Sequence, residues 1–222
     1  MRITFLGHAA FLIESEQKQI ITDPYSREIG YLPINQRTDF VTLSHDNPKW
    51  HSCLDDIQGN FEVINGLEIM ESGAVRDEIS FNSVLAYERE NEGENAMVCI
   101  EIEGIRVLHT GDCGVLPHDE TLKRCGRVDV LLALAGGFPT LNLDDLMILI
   151  EKLAPKIVIP MHFSVPNLQM EALGVEEIEK RFQAEQIVRH AESSLHFLWK
   201  TLPQHTQLHV LKPLRTKNES RD

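Results

Sequence analysis

What most constrains this chain is the way its short apolar runs end. Met1–Gly7 runs into His8, Gln19–Thr22 into Asp23, Phe40–Leu43 into Ser44 and His45, and Lys156–Ile159 into Pro160, Met161 and His162. Short apolar runs broken by Gly, Pro and polar pairs read as β-strands joined by tight turns. A strand delivers whatever follows it to one edge of its sheet, and polar groups on loops held by a rigid scaffold are the common way to build a site. The pattern therefore predicts a sheet-based fold with its chemistry gathered at one rim.

Ala10–Ile13, Phe61–Ile64 and Ser83–Tyr87 read as further strands, and Met97–Ile102 and Ile105–His109 flank Glu103 and Gly104, a hairpin signal. Asp129–Leu134 and Lys156–Ile159 are continuously apolar, as in strands covered on both faces. Between them Leu143, Leu146, Met147, Ile150 and Leu153 recur at helical spacing behind Asn142, a suitable N-cap. A second helix is expected over 175–190. Strands in the first half, and helices alternating with strands in the second, fit a layered sheet sandwich flanked by helices better than a doubly wound sheet.

The 222 residues, 42% apolar and 25% charged, suffice for one domain over 1–213 that needs no disulfide staples. The polar stretch over 214–222 is expected to fray. Cys53, Cys99, Cys113 and Cys125 form no CxxC pair, which argues against a zinc knuckle; Cys99 and Cys113 read as buried small hydrophobes. A formal net charge of −13 disfavours binding to a phosphate backbone, so no nucleic-acid partner is expected. No apolar run approaches the length of a membrane span and no basic-then-apolar leader precedes the first strand, so a soluble, cytoplasmic protein without a membrane partner is expected.

The strand ends carry the candidate chemistry. His45, Asp46, Asn47 and His51 fall within seven positions; Asp112 follows a strand and a glycine; His162 follows another strand; His8 and Asp23 follow the first and third. Two imidazoles and a carboxylate are enough for a zinc site with open positions. His109 receives no role, and His118, His190, His196, His205 and His209 read as surface or packing residues.

Together, residues 6–13 (LGHAAFLI), 20–24 (IITDP), 41–45 (VTLSH), 104–112 (GIRVLHTGD) and 156–162 (KIVIPMH) resemble the metallo-β-lactamase superfamily, especially its small metal-dependent hydrolases similar to ascorbate-6-phosphate lactonases. The resemblance implies an α+β fold, a four-layer αββα sandwich with the site at the sheet edges. It also implies a ligand loop of the form His-x-His-x-Asp-His, from which this chain departs. His45 matches the first ligand, Asn47 stands at the second His, Lys49 at the Asp and Trp50 at the last His, unless one extra residue brings His51 into register. Glu88 is the nearest match to the His before the central hairpin, Asp112 matches the bridging carboxylate and His162 the last ligand. His8 and Asp23 match positions that orient ligands by hydrogen bonds.

The expected reading is a hydrolase of a small ester, lactone or phosphorylated metabolite, with His45, Asn47, His51, Glu88, Asp112 and His162 as metal ligands and Asp46 and Asp112 as catalytic carboxylates. The expected cofactor is one divalent metal, zinc, or manganese or magnesium if the oxygen donors count; absence of any metal stays open. Lys49 would then hold an anionic ligand, and Gly137 would let backbone approach substrate. The expected partner is a small molecule, with a homo-oligomer left open. The alternatives are a non-catalytic relative that has lost its metals and binds a metabolite or protein partner, and, more weakly, a nuclease, which the acidic charge disfavours.

Overall fold

The computed structural model describes residues 1–89, 93–166 and 168–214. The chain forms β1 (Arg2–Gly7), β2 (Ala10–Glu14), β3 (Gln19–Thr22), β4 (Gln36–Arg37), β5 (Phe40–Leu43), β6 (Ile57–Gln58) and β7 (Glu62–Asn65). There follow β8 (Ala74–Arg76), β9 (Ile79–Tyr87), β10 (Glu94–Ile102), β11 (Ile105–His109), α1 (Asp119–Cys125), β12 (Val130–Leu134), α2 (Leu143–Leu153) and β13 (Ile157–Met161). The last elements are α3 (Val175–Glu179), β14 (Ile187–Arg189), β15 (Ser194–His196) and β16 (Gln207–Val210). One sheet has the order β15-β1-β2-β3-β5-β7, the other β14-β16-β13-β12-β11-β10-β9-β8, and β4 pairs with β6 apart from both.

The period-2 alternation of strands explains how the sheets stack. Phe5, Phe11, Ile13 and Ile20 join the large core that also holds Val98, Ile100, Val107 and Leu132 from the other sheet. Phe40 meets Phe81 across the layers with ring centroids 5.6 Å apart. Leu6, Leu12 and Ile21, one residue out of phase, face the opposite way and pack with Tyr25, Ile29, Tyr31 and Ile34. This outer layer comes from a 3-10 turn (Arg27–Ile29) and its flanking loop, so one outer layer of the expected four is loop-built. The second sheet carries α2, which buries Leu143, Leu146, Leu149 and Ile150 and starts at Asn142, whose side chain accepts from the Asp145 amide.

The helix expected over 175–190 is shorter: α3 stops at Glu179, and Ile187–Arg189 is a strand paired in parallel with β16. Cys99, Cys113 and Cys125 are buried free thiols. Of the tail expected to fray, 215–222 lies outside the described residues. Among the described residues no helix is long and apolar enough to cross a membrane.

Parallel pairing aligns the strand ends. In the second sheet His109 lies opposite Leu132, and Leu132 opposite Ile159. Asp112 and His162 each follow that level by three residues and so reach one rim. In the first sheet Thr22 lies opposite Thr42, which puts Asp23 and Ser44 at its edge.

Candidate metal centre

His8, Asp23 and His162 leave their strands with φ of +53°, +35° and +58°. Left-handed backbone in non-glycine residues costs about 1 kcal/mol or more each and persists where the surroundings over-determine it. Here the turns aim three polar side chains into the space between the sheets. Gly111 also has positive φ (+56°), and a Cβ there would lie 2.1 Å from Asn95 Oδ1 and 2.6 Å from Ser44 Cβ, so only glycine lets this turn close.

Asp23 anchors the centre. Its Oδ1 accepts from the Ser44 amide at 2.8 Å and its Oδ2 from Ser44 Oγ at 2.5 Å, and Oδ2 also lies 3.2 Å from His51 Nδ1. Burial opposes ionisation of Asp23, but the imidazoles of His109, His51 and His45 outweigh it and hold the carboxyl below its usual range.

These bonds fix proton positions. Ser44 Oγ has one hydrogen and gives it to Asp23, so at its 2.9 Å contact with His45 Nδ1 the hydroxyl accepts. His45 therefore carries hydrogen on Nδ1 and a lone pair on Nε2, and that Nε2 is buried without a hydrogen-bond partner. The same reasoning puts hydrogen on His51 Nδ1, toward Asp23. His51 Nε2 then faces Asp112 Oδ2 at 2.8 Å in a geometry that makes no hydrogen bond. Two lone pairs so close repel unless positive charge lies between them. In the ion-free protein a second proton answers this need: burial disfavours it, yet Asp112 and Asp23 push the His51 pKa up to about 10.

Asp112 is aimed by Asn95, whose Oδ1 accepts the Asp112 amide at 2.8 Å while its Nδ2 donates to Thr110 O at 3.0 Å. Asp112 Oδ1 has no hydrogen bond and lies 3.4 Å from His162 Nε2. Burial opposes ionisation of Asp112, and His51, His162 and His45 overcome it, so the carboxylate stays charged well below its ordinary pKa. His45, His51 and Asp112 each bring one ligand atom within 4.8 Å of the others, and so do His8, His51 and His162.

The remaining sequence-derived candidates sit as follows. Glu88 Oε1 lies 3.8 Å from His45 Nε2, at the margin of the cluster. Asn47 organises its loop: its backbone oxygen accepts the amides of Trp50, His51 and Ser52, and its Oδ1 contacts Trp50 N at 3.3 Å. That turn supplies the extra residue that swings His51 inward. Asp46 is exposed and accepts from Ser52 Oγ at 2.9 Å, which ties it to the loop surface. Lys49 is exposed, with Nζ 5.3 Å from the Trp50 ring centroid. Gly137 is buried with φ +69°, and its carbonyl accepts from Thr140 N and Oγ1.

His8 differs from its expected hydrogen-bonding role. It is 0% exposed, neither ring nitrogen has a partner, and its ring stands 4.3 Å from that of His162 and 5.0 Å from that of His51. Burial, followed by the His162 and His51 charges, drives its pKa well below normal. Asn95 and Ser44 are the functional positions that the sequence did not flag. A polar residue opening the apolar run of β10 was the available signal for Asn95.

Comparison with known proteins places these features. Residues 2–162 match the model of the beta-lactamase superfamily domain. A protein of Carboxydothermus hydrogenoformans named UPF0173 metal-dependent hydrolase is 28% identical over 195 residues, covering 74% of this chain and 85% of its own. Its namesake in Alkaliphilus metalliredigens is 26% identical over 221 residues, covering 80% and 99%. A solved structure from Thermotoga maritima, described as a proposed Zn-dependent hydrolase of the metallo-β-lactamase superfamily, superposes with a TM-score of 0.79 at 29% identity, covering 95% of this chain and 97% of that one. A metallo hydrolase from Ignicoccus hospitalis shares the fold, with a TM-score of 0.64 at 18% identity over 96% and 95% of the two chains. With two facing sheets, a polar rim at their strand ends and a family match over most of its length, the chain belongs to the metallo-β-lactamase superfamily.

Proposed function

We propose that the protein is a metal-dependent hydrolase of a small ester, lactone or phosphorylated metabolite, built around one divalent cation. The observation that carries this reading is the convergence of His45, His51 and Asp112, each bringing one ligand atom within 4.8 Å of the others, and each holding a buried atom (His45 Nε2, His51 Nε2, Asp112 Oδ1) without a hydrogen bond among the described residues. Buried polar atoms left unpaired cost about 1–3 kcal/mol each, so three together are accounted for by an ion that they hold. Two imidazoles and a carboxylate suit zinc with open positions. With Asn47 committed to its loop, the case for a harder ion weakens.

His51 Nδ1 faces Asp23, so only Nε2 remains for either group of candidate ligands, and one nitrogen serves one ion. His162 and His8 complete the surroundings of that single ion or offer it a second resting place. A divalent ion there would acidify water toward a pKa of about 7 and polarise a carbonyl or phosphoryl oxygen.

The chain's own groups supply the rest. Asp23 and Ser44 hold His45 and His51 in the tautomers that present Nε2. Asn95 fixes the Asp112 turn. Glu88 Oε1, 3.8 Å from His45 Nε2, replaces the loop-bound Asp46 as the carboxylate that takes or returns a proton at the leaving group. A Cβ on Gly136 would lie 1.9 Å from His162 O, so glycine keeps the β12 loop tight against the rim.

The test is a hydrolase screen on protein stripped with chelator and reloaded with zinc or manganese. Turnover that returns with metal and disappears in His45→Ala is the expected result. Metal-independent turnover would remove the ion from the reading, and no turnover on any ester, lactone or phosphate would leave a non-catalytic binding protein as the better one.

A further inference from the structure

We propose that the mouth of the centre is an anion clamp made of Arg89 and Lys49, so that the substrate carries a carboxylate or phosphate beside its scissile bond; this rests on the hydrolase reading above. The chain is strongly acidic, at −13, so a cation at the rim without an acidic partner among the described residues stands out. Arg89 follows Glu88, whose carboxylate borders His45. Its backbone is pressed onto the turn after Asp112, where a Cβ on Gly114 would lie 2.4 Å from Arg89 N. Its guanidinium carbon stands 5.3 Å from the ring centroid of Phe138, which is 68% exposed and belongs to the loop whose Gly136 abuts His162. The arm thus spans from the Asp112 side to the His162 side.

On the His8 side, Lys49 lies over Trp50, and the Trp50 ring is 5.1 Å from that of His8. Among the described residues, the side chains of Arg89 and Lys49 make no hydrogen bond or ion pair, and Lys49 bonds only through its backbone oxygen, which accepts from the Ser26 amide at 2.9 Å. Stacking on rings orients both cations while leaving their N–H donors unused. A guanidinium so presented matches the planar two-oxygen edge of a carboxylate or phosphate. Phe138 and Trp50 would flank the organic part of the same molecule.

The test is calorimetric titration of metal-loaded and chelator-treated protein with inorganic phosphate and with malonate, the two probes separating a phosphate from a carboxylate preference. Arg89→Gln is expected to weaken binding at least about tenfold in both metal states, the scale of a lost charge-assisted pair. Lys49→Gln and Phe138→Ala should weaken it less, and Lys152→Gln, at the far end of α2, not at all. Unchanged affinity in Arg89→Gln, binding that depends on metal alone, or no binding of either probe at millimolar concentration would overturn the clamp. The two readings fail separately. Hydrolysis of neutral esters indifferent to Arg89→Gln removes the clamp and keeps the hydrolase. Arg89-dependent anion binding without turnover on any substrate keeps the clamp and removes the hydrolase.

Discussion

Two groups of buried or half-buried histidines in this molecule look alike in composition and differ in bonding. In the C-terminal strands, His190 Nε2 lies 3.0 Å from His209 Nδ1, and His209 Nε2 lies 3.1 Å from Gln207 Oε1, so the chain of donors and acceptors closes on itself. His109 is similar: Nε2 donates to Ala9 O at 2.8 Å and Nδ1 accepts from Gly111 N at 3.0 Å. At the rim, by contrast, His8, His45, His51 and His162 each retain a buried nitrogen with no hydrogen bond among the described residues. Residue type does not separate structural imidazoles from candidate ligands; an account of where each nitrogen's bond goes does.

The comparison can be broken most severely at Asp112. Asp112→Asn should weaken divalent-metal affinity by more than about 100-fold, beyond the 10–100-fold usual for outer partners, and abolish turnover. Equilibrium dialysis with inductively coupled plasma detection reads the first quantity. Asp23→Asn should fall inside that 10–100-fold range, because it unfixes the His45 and His51 tautomers without removing a donor. A loss as large as that of Asp112→Asn would make Asp23 a ligand itself.

Metal addition sharpens the contrast further. At 100 times its dissociation constant, an ion bound only by the folded chain adds about 2.7 kcal/mol. That corresponds to a rise in melting temperature of about 5–10 °C for a chain of this size, measurable by scanning calorimetry. The rise should shrink in His8→Phe if His8 helps hold the ion and persist if it only packs.

The smallest effect belongs to the closed group. Burial, and then His190, push the His209 pKa down to about 4. An unfolded histidine titrates near 6.5, so the unfolded chain binds more protons between these values. The stability this neutral histidine contributes is present above about pH 6.5 and is lost as pH falls toward 4. His209→Gln should flatten that acid limb by about 1–2 kcal/mol in urea unfolding, and should leave metal affinity unchanged.

Much of this architecture was legible because strand ends are local. The runs before His8, Asp23, His45 and His162 are visible as apolar stretches; parallel pairing levels the ends of β3 and β5 and of β11, β12 and β13, while β1 ends beside β3 through the antiparallel β2 between them. The register of the loop histidine was only partly legible, since the sequence offers His51 as a ligand on condition that the loop carries one extra residue. It depends on Asn47, whose single carbonyl gathers three amides and makes the turn that advances His51 by one position. Asn95 escaped notice because its value lies in burial and in a partner 17 residues away. Over 175–190 the helical pattern was outweighed by non-local pairing, since β14 (Ile187–Arg189) gains its hydrogen bonds from β16.

The central claim is that His45, His51 and Asp112 hold a single divalent ion. Cobalt(II) titration of the chelator-treated protein, followed by visible absorption, tests it most directly. The account predicts a ligand-field band that saturates at one equivalent and collapses in His45→Ala and His51→Ala. Saturation at two equivalents, or a band indifferent to those substitutions, would contradict it.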